Sequence, residues 1–278
     1  MNHEAKAFAP ANISCIFRIC RHKNPRWMGS YGVGFTLNEG VFVKASKSKS
    51  TEVIFNDKSI NFPTVKSVVH KLTKQKIKIH IKSKLPLGCG FGLSGAGALA
   101  TAYSANKLLN LKKSKKELAV IAHIAEVENK TGLGDVVNQY YGGFCLKLRP
   151  SSHFIVKKLP VKNADVYCRC FSRISTKSII TNPKLKNKIN KSASTALSNI
   201  KKIIKSKKIG LEQIIKISRE FAANSGLLKG KKTIRAIKEI EKNNGNASMI
   251  MLGNAVFSDK PFKDALKFKI TGKGAHLI

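Results

Sequence analysis

The run "LPLGCGFGLSGAGALATA" sets glycines at positions 88, 90, 92, 95 and 97 between a strand-like segment and a helix-like one. A backbone that bare lets main-chain N–H groups approach an anion, and the positive end of a following helix strengthens the attraction. Three phosphate loops compete for the pattern. A Walker loop ends in Gly-Lys-Ser/Thr, yet no lysine lies between Lys84 and Lys107. A dinucleotide fingerprint is matched literally by Gly90-Phe91-Gly92-Leu93-Ser94-Gly95, but the preceding strand is half lysine and Pro86 interrupts it. No acidic residue ends a second strand roughly 20 residues further on, as that fingerprint requires. What remains is a mononucleotide loop of the form P-x-G-x-G-x-G-x-S-x-A, from Pro86 to Ala96. Its Ser94 stands at the helix start, where a hydroxyl either caps the helix or meets a phosphate-bound Mg²⁺.

The flanking segments fit a strand–loop–helix unit. In "KIKIHIKSK" lysine and isoleucine alternate, which describes a strand with one buried face. "GALATAYSANKLLN" reads as a helix of small residues, and Ser114 with Glu117 forms a capping box that opens the next one. Ahead of them, residues 6–62 are mostly period-two, with Asn38-Glu39-Gly40 and Asn56-Asp57 as hairpin turns. The loop "RHKNPRWMGSYG" between two of those strands carries the single tryptophan and is either a binding loop or plain surface. "GGFCLKLRP" reads as a closing strand, and a boundary near Pro150 divides the chain into 1–150 and 151–278. The second half mixes strands and helices, with a solvated lysine-rich face between Lys184 and Lys208.

A second site follows the capped helix. "LAVIAHIAEVENK" is apolar around most of its circumference, so a carboxylate there is costly without a partner. Glu117 and Glu128 share one face by helical spacing, whereas Glu126 sits beside His123 in line with Ala119 and Ala122. Glu128 is therefore the solvated residue, Glu126 the metal or ion-pair candidate, and His123 a packing histidine. In "KTGLGDVVNQ" Asp135 follows Gly134; it either caps a helix that starts at Val136 or is a rigidly held acid. A phosphate cradle, a Mg²⁺ clamp and an acid that orients a hydroxyl are the parts that phosphoryl transfer needs.

The residues "PLGCGFGLSGAGALATA" resemble the ATP loop of the GHMP small-molecule kinases. Together with "AEVENKTGLGDVVNQYYGG" and "NASMIMLGNAVF", they are similar to the archaeal branch of that superfamily that phosphorylates pantoate. The resemblance implies an α+β fold, with an N-terminal domain like domain 2 of ribosomal protein S5 and a ferredoxin-like C-terminal domain. It implies an ATP- and Mg²⁺-dependent kinase of coenzyme A biosynthesis, with homoserine or mevalonate as alternative acceptors. Pro86, Gly88, Cys89, Gly90, Phe91, Gly92, Leu93, Ser94, Gly95 and Ala96 would wrap the ATP phosphates. Ser94 and Glu126 would meet Mg²⁺, and Asp135 falls on the catalytic aspartate. At the N-terminus "FAPANIS" resembles the family's first block, with Asn12 where many relatives have lysine or histidine. The acceptor carboxylate calls for cationic or polar donors, for which Arg26, Ser30 and Asn12 are the candidates.

Composition bounds the rest. Against 15 acidic residues stand 52 Lys and Arg, a formal charge of +37 that attracts anions of every size. Its spread over nearly every segment describes solvated surface; the rival reading is a basic RNA-associated protein, whose lysines would cluster with aromatic or arginine readers. The six cysteines show no C-x-x-C and no zinc spacing, so they are expected to be reduced. No apolar run reaches membrane-span length, and a cytoplasmic protein without a membrane partner is expected. A homodimer is left open.

Overall fold

The computed structural model describes residues 4–161, 164–206 and 209–278. Alternating side chains build a long antiparallel hairpin, β1 (Glu4–Cys20) and β2 (Gly29–Lys47). The chain does not turn at Asn38-Glu39-Gly40, as the sequence suggested; β2 runs straight through it. Pro10 has no N–H to give the ladder, and the register slips there: Pro10 faces Gly40 but Asn12 faces Thr36. Gly40 packs directly on the β1 backbone, where a Cβ would stand 2.7 Å from the Pro10 Cα. The glycine thus permits close approach inside a bulged strand. A second irregularity lies between Ser14 and Ile16, so Asn12 and Ser14 occupy a short regular stretch between two bends.

The expected turn at Asn56-Asp57 is present, with both residues at positive φ, joining β3 (Glu52–Phe55) to β4 (Lys58–Ser59). After α1 (Pro63–Leu72), the Lys/Ile alternation forms β5 (Ile77–Lys82), with Ile77, Ile79 and Ile81 buried. β5 pairs antiparallel with β2 and parallel with β3. Alanine and glycine let α2 (Leu93–Leu109) lie closely across β1 and β2, and nearly all of it is buried. The predicted capping box opens α3 (Lys115–Glu128), with Ser114 and Glu117 bonding each other's backbone. Glu128 faces solvent and pairs with Lys71 at 2.8 Å, while Glu126 is fully buried. Next come α4 (Asp135–Tyr141), β6 (Phe144–Lys147), which pairs with β2, and β7 (Val156–Lys158), which pairs with β6.

A second antiparallel sheet starts with β8 (Asp165–Ser172). Helices α5 (Thr176–Ile180), α6 (Pro183–Lys205), α7 (Leu211–Asn224) and α8 (Lys231–Lys242) follow. Then come β9 (Ala247–Met249), β10 (Asn254–Ser258) and β11 (Leu266–Lys269), and β12 (His276–Leu277) returns to the first sheet beside β1. The second sheet has the order β11-β8-β10-β9. The lysine-rich α6 buries only Ile189, Ala193, Ala196 and Ile200, so its basic face is solvated as expected; Lys207 and Lys208 lie outside the described residues. Ser218 on α7 donates to the Cys15 carbonyl at 2.9 Å and ties the helical layer to β1. Among the described residues no helix is long and apolar enough to cross a membrane.

His123 is a buried packing residue, its Nε2 2.9 Å from the Met28 carbonyl and its Nδ1 unpartnered among the described residues. Burial holds it below the ordinary 6.5, at about 4, because a proton on Nδ1 would have no acceptor. The folded value lies below the unfolded one, so this stabilisation is complete above about pH 6.5 and is lost as pH falls through about 4. We expect the urea midpoint of His123→Gln, which keeps a donor for Met28, to vary less between those limits; the wild-type excess is on the order of 3 kcal/mol.

Candidate active site

The glycine loop sits at the C-terminal end of β5, and positive φ at Gly88, Gly90 and Gly92 turns its backbone inward. Gly92 is the N-cap of α2, so the helix begins at Leu93 and Ser94 lies inside its first turn. Ser94 is therefore not the cap. It lines a cavity of about 350 Å³, and its hydroxyl is 3.4 Å from that of Thr64. Thr64 in turn lies 3.0 Å from the Thr131 hydroxyl, which donates to the Glu126 carbonyl at 3.3 Å. The loop leans on segments that adjoin the second sheet: the Ile174 N–H donates to the Gly88 carbonyl at 3.0 Å, and a Cβ on Gly90 would stand 2.8 Å from Ile250. It is also bonded to that sheet by a disulfide from Cys89 to Cys170, contrary to the expectation of six reduced cysteines. Local spacing could not find this pair, because 81 residues separate its members and only the packing of the two sheets joins them.

Asp135 opens α4 behind Gly134 and caps nothing. Its Oδ1 accepts from the Asn12 amide at 2.6 Å and from the Ser14 hydroxyl at 3.1 Å. The Asn138 amide donates to Asn12 Oδ1 at 2.8 Å and fixes which way Asn12 points. Both bonds to Asp135 land on Oδ1, which leaves Oδ2 without a bond among the described residues, on a residue that lines the cavity. Burial pushes the Asp135 carboxyl up; the nearby Lys147 charge and the Asn12 and Ser14 bonds oppose it.

Lys147, from β6, is the buried cation of the site. Its ammonium donates to the Gly134 carbonyl at 3.2 Å, and burial pulls its pKa down against the charges of Asp135 and Glu126. Gly134 has extended backbone, so its lack of a side chain serves space: a Cβ there would stand 2.6 Å from Ser30 Oγ and 2.8 Å from Lys147 Nζ. Gly134 thus draws the Ser30 hydroxyl and the Lys147 ammonium to the residue before Asp135. Sequence reasoning read "FCLK" as a closing strand and passed over Lys147. Its one signal was a lysine in a strand whose four residues prove buried, hidden among 52 cationic residues.

Glu126 lies under the start of α2, where the bare Gly95 and Gly132 make room for its carboxylate. Neither oxygen has a hydrogen-bond partner among the described residues. Burial, and then the neighbouring Asp135 charge, raise its pKa well above the ordinary range. Lys147 and the approach of the Val136 N–H only partly offset them. Gln139 stands beside it: its amide donates to the Gly92 carbonyl at 2.8 Å, and its own oxygen is unpartnered among the described residues. Among the described residues no three His, Cys, Asp or Glu side chains cluster as a self-sufficient metal cage. A lone orphaned carboxylate near a cavity hydroxyl instead suits Mg²⁺, which keeps waters and shares its ligands with phosphate. Of the acceptor candidates, Ser30 and Asn12 reach the site. Arg26 does not: it is exposed, its guanidinium 5.4 Å from the centre of the exposed Trp27 ring.

Residues 63–143 match the model of the GHMP kinases N terminal domain. The chain is 37% identical over 256 residues to the pantoate kinase of Methanocaldococcus jannaschii, covering 90% of both chains. It is 32% identical to the pantoate kinase of Methanospirillum hungatei, covering 91% of this chain and 86% of that one. A solved structure described as a phosphotransferase related to the CoA biosynthesis pathway superposes with a TM-score of 0.84 at 26% identity, covering 99% of this chain and 98% of that one. The α+β fold is that of the GHMP kinases, and the chain belongs to the pantoate kinases of that superfamily.

Proposed function

We propose that the protein transfers the γ-phosphoryl group of ATP to the primary hydroxyl of pantoate, giving 4-phosphopantoate for coenzyme A synthesis. The observation that carries this reading is the meeting, in one cavity, of a glycine phosphate loop, an acid with a free oxygen and a buried ammonium. Residues 1–150 would form the ATP-binding domain and residues 151–278 the domain that closes the site, in the cytoplasm where ATP is available.

The roles follow from placement. The N–H groups from Gly88 to Ala96 surround the phosphates, and the α2 N-terminus adds positive potential. Ser94 and Glu126 would hold Mg²⁺, which when bound neutralises charge on the β- and γ-phosphates. The Lys147 ammonium and Ser30 hydroxyl bind the pantoate carboxylate and set its primary hydroxyl against Asp135. That hydroxyl attacks the γ-phosphorus; a new O–P bond forms, the bond to the β-phosphate oxygen breaks, and ADP leaves. Asp135 Oδ2 accepts the hydroxyl proton while Asn12 and Ser14 keep the carboxylate fixed through Oδ1.

Assays of pantoate, homoserine and mevalonate side by side test the acceptor, and preference for either of the latter two overturns pantoate. Asp135→Asn should retain ATP binding and lose roughly 10²–10⁴ in kcat; near-normal turnover would remove Asp135 from the chemistry. Because Asp135 works ionised and its pKa is raised, the acid limb of the wild-type kcat profile should lie above the ordinary 3.8. Lys147→Met should raise KM for pantoate by roughly tenfold or more while KM for ATP changes little, since a charge-assisted bond contributes about 1.5–3 kcal/mol. Gln139→Leu removes the bond to the Gly92 carbonyl and should weaken ATP binding about fivefold, from the roughly 1 kcal/mol of a typical hydrogen bond. Calorimetric titration with ATP measures that loss.

A further inference from the structure

One bond at the phosphate loop has no part in the transfer. Cys89 lies between two glycines of positive φ and is disulfide-bonded to Cys170 on β8, with Cα atoms 6.0 Å apart. The remaining cysteines, Cys15, Cys20, Cys145 and Cys168, are free. Cys89 is buried and Cys170 is half-buried, so solvent reaches the pair from the β8 side. The Ser172 carbonyl lies 3.9 Å from Cys89 Sγ and 3.7 Å from Cys170 Sγ. Either thiol would therefore find an acceptor if the bond opened, and neither redox state leaves a sulfur stranded. The loop also touches this strand's extension without covalent help: Gly88 accepts from the Ile174 N–H, and a Cβ on Gly88 would stand 3.3 Å from the Arg173 stem. Opening the disulfide would loosen the loop without detaching it.

We propose that Cys89 and Cys170 are a reversible modification site, a thiol–disulfide pair through which small disulfides and thiols set the affinity of the phosphate loop for ATP. The inference rests on the reading of residues 86–96 as the ATP loop. The Cys170 thiolate attacks one sulfur of a low-molecular-weight disulfide and expels the other half as a thiolate. The Cys89 thiolate then attacks the Cys170 sulfur and expels the second half. The two cysteine thiols give up two electrons and two protons, and the external disulfide takes both and leaves as two thiols. Closed, the pair pins the backbone donors in the inward geometry described above. Open, the loop must be ordered as ATP binds, and affinity falls.

The test uses the full chain equilibrated in glutathione buffers from fully reduced to fully oxidised. Alkylation and peptide mass spectrometry give the fraction of Cys89 linked to Cys170, and calorimetry gives the ATP Kd of the same samples. We expect the linked fraction to move from near none to near complete, with ATP binding roughly threefold to tenfold tighter when the pair is closed. Cys170→Ser, which leaves the loop sequence intact, should bind ATP with the affinity of the reduced wild type in every buffer. A pair that never changes state, or one Kd for both states, overturns the proposal and leaves the ATP reading standing. Absence of ATP binding in both states would overturn that reading and the proposal with it.

Discussion

The Asp135 carboxylate stands half-buried at the cavity wall and largely desolvated, and a charge so placed must be paired or hydrogen-bonded. Its partners come from a strand more than 120 residues earlier: Asn12 and Ser14 reach it from β1, and Asn138 steadies Asn12 from one turn further along α4. Much of the N-terminal sheet exists in the form that makes this possible. The register slips on either side of Asn12 and Ser14 turn that stretch toward α4. Gly34 on β2 leaves room for the Asn138 amide, where a Cβ would stand 2.7 Å from its nitrogen. A misplaced β1 would cost more than strand pairing, since it would leave a desolvated carboxylate without its Asn12 and Ser14 bonds.

That constraint also separates the two electrostatic scales of the molecule. The charge of +37 draws ATP and a carboxylate acceptor toward the protein, but it draws any other anion equally and salt screens it. On the proposed reading, discrimination falls to the one lysine that is buried among the described residues, Lys147. There the dielectric is low and the neighbours are fixed. Its charge offsets those of Asp135 and Glu126, each of which burial pushes toward the neutral form.

What the sequence disclosed was what local spacing encodes. The Lys/Ile alternation of β5, the Ser114–Glu117 box, the solvated Glu128 against the buried Glu126, and the loop leading to Ser94 all depend on neighbours within a few turns. Ser94 and Asp135 each carried a capping alternative that spacing left open, and only three-dimensional placement removes it: Gly92 and Gly134 are the caps. Asn38-Glu39-Gly40 had the composition of a turn, yet its glycine answers the close backbone of β1, a neighbour invisible in a window of that width. Lys147 and the Cys89–Cys170 pair escaped for the same reason, since burial and long-range pairing are tertiary facts. Arg26 attracted notice by charge alone, and its loop carries it outward.

The glycine loop itself is the last instance of this dependence. The family model covers residues 63–143, as if the nucleotide site belonged to that segment. Yet Gly88 bonds Ile174, Gly90 packs on Ile250, Cys89 is joined to β8, and Gly253 is bare because the loop backbone lies against it. Positive φ at Gly88, Gly90 and Gly92 permits many loop shapes, and permissiveness carries an entropic cost on ordering. Contacts from the second sheet and the segments adjoining it select one of those shapes. The cradle is thus a property of two sheets pressed together, and the residues that define it in sequence are only half of what holds it in space.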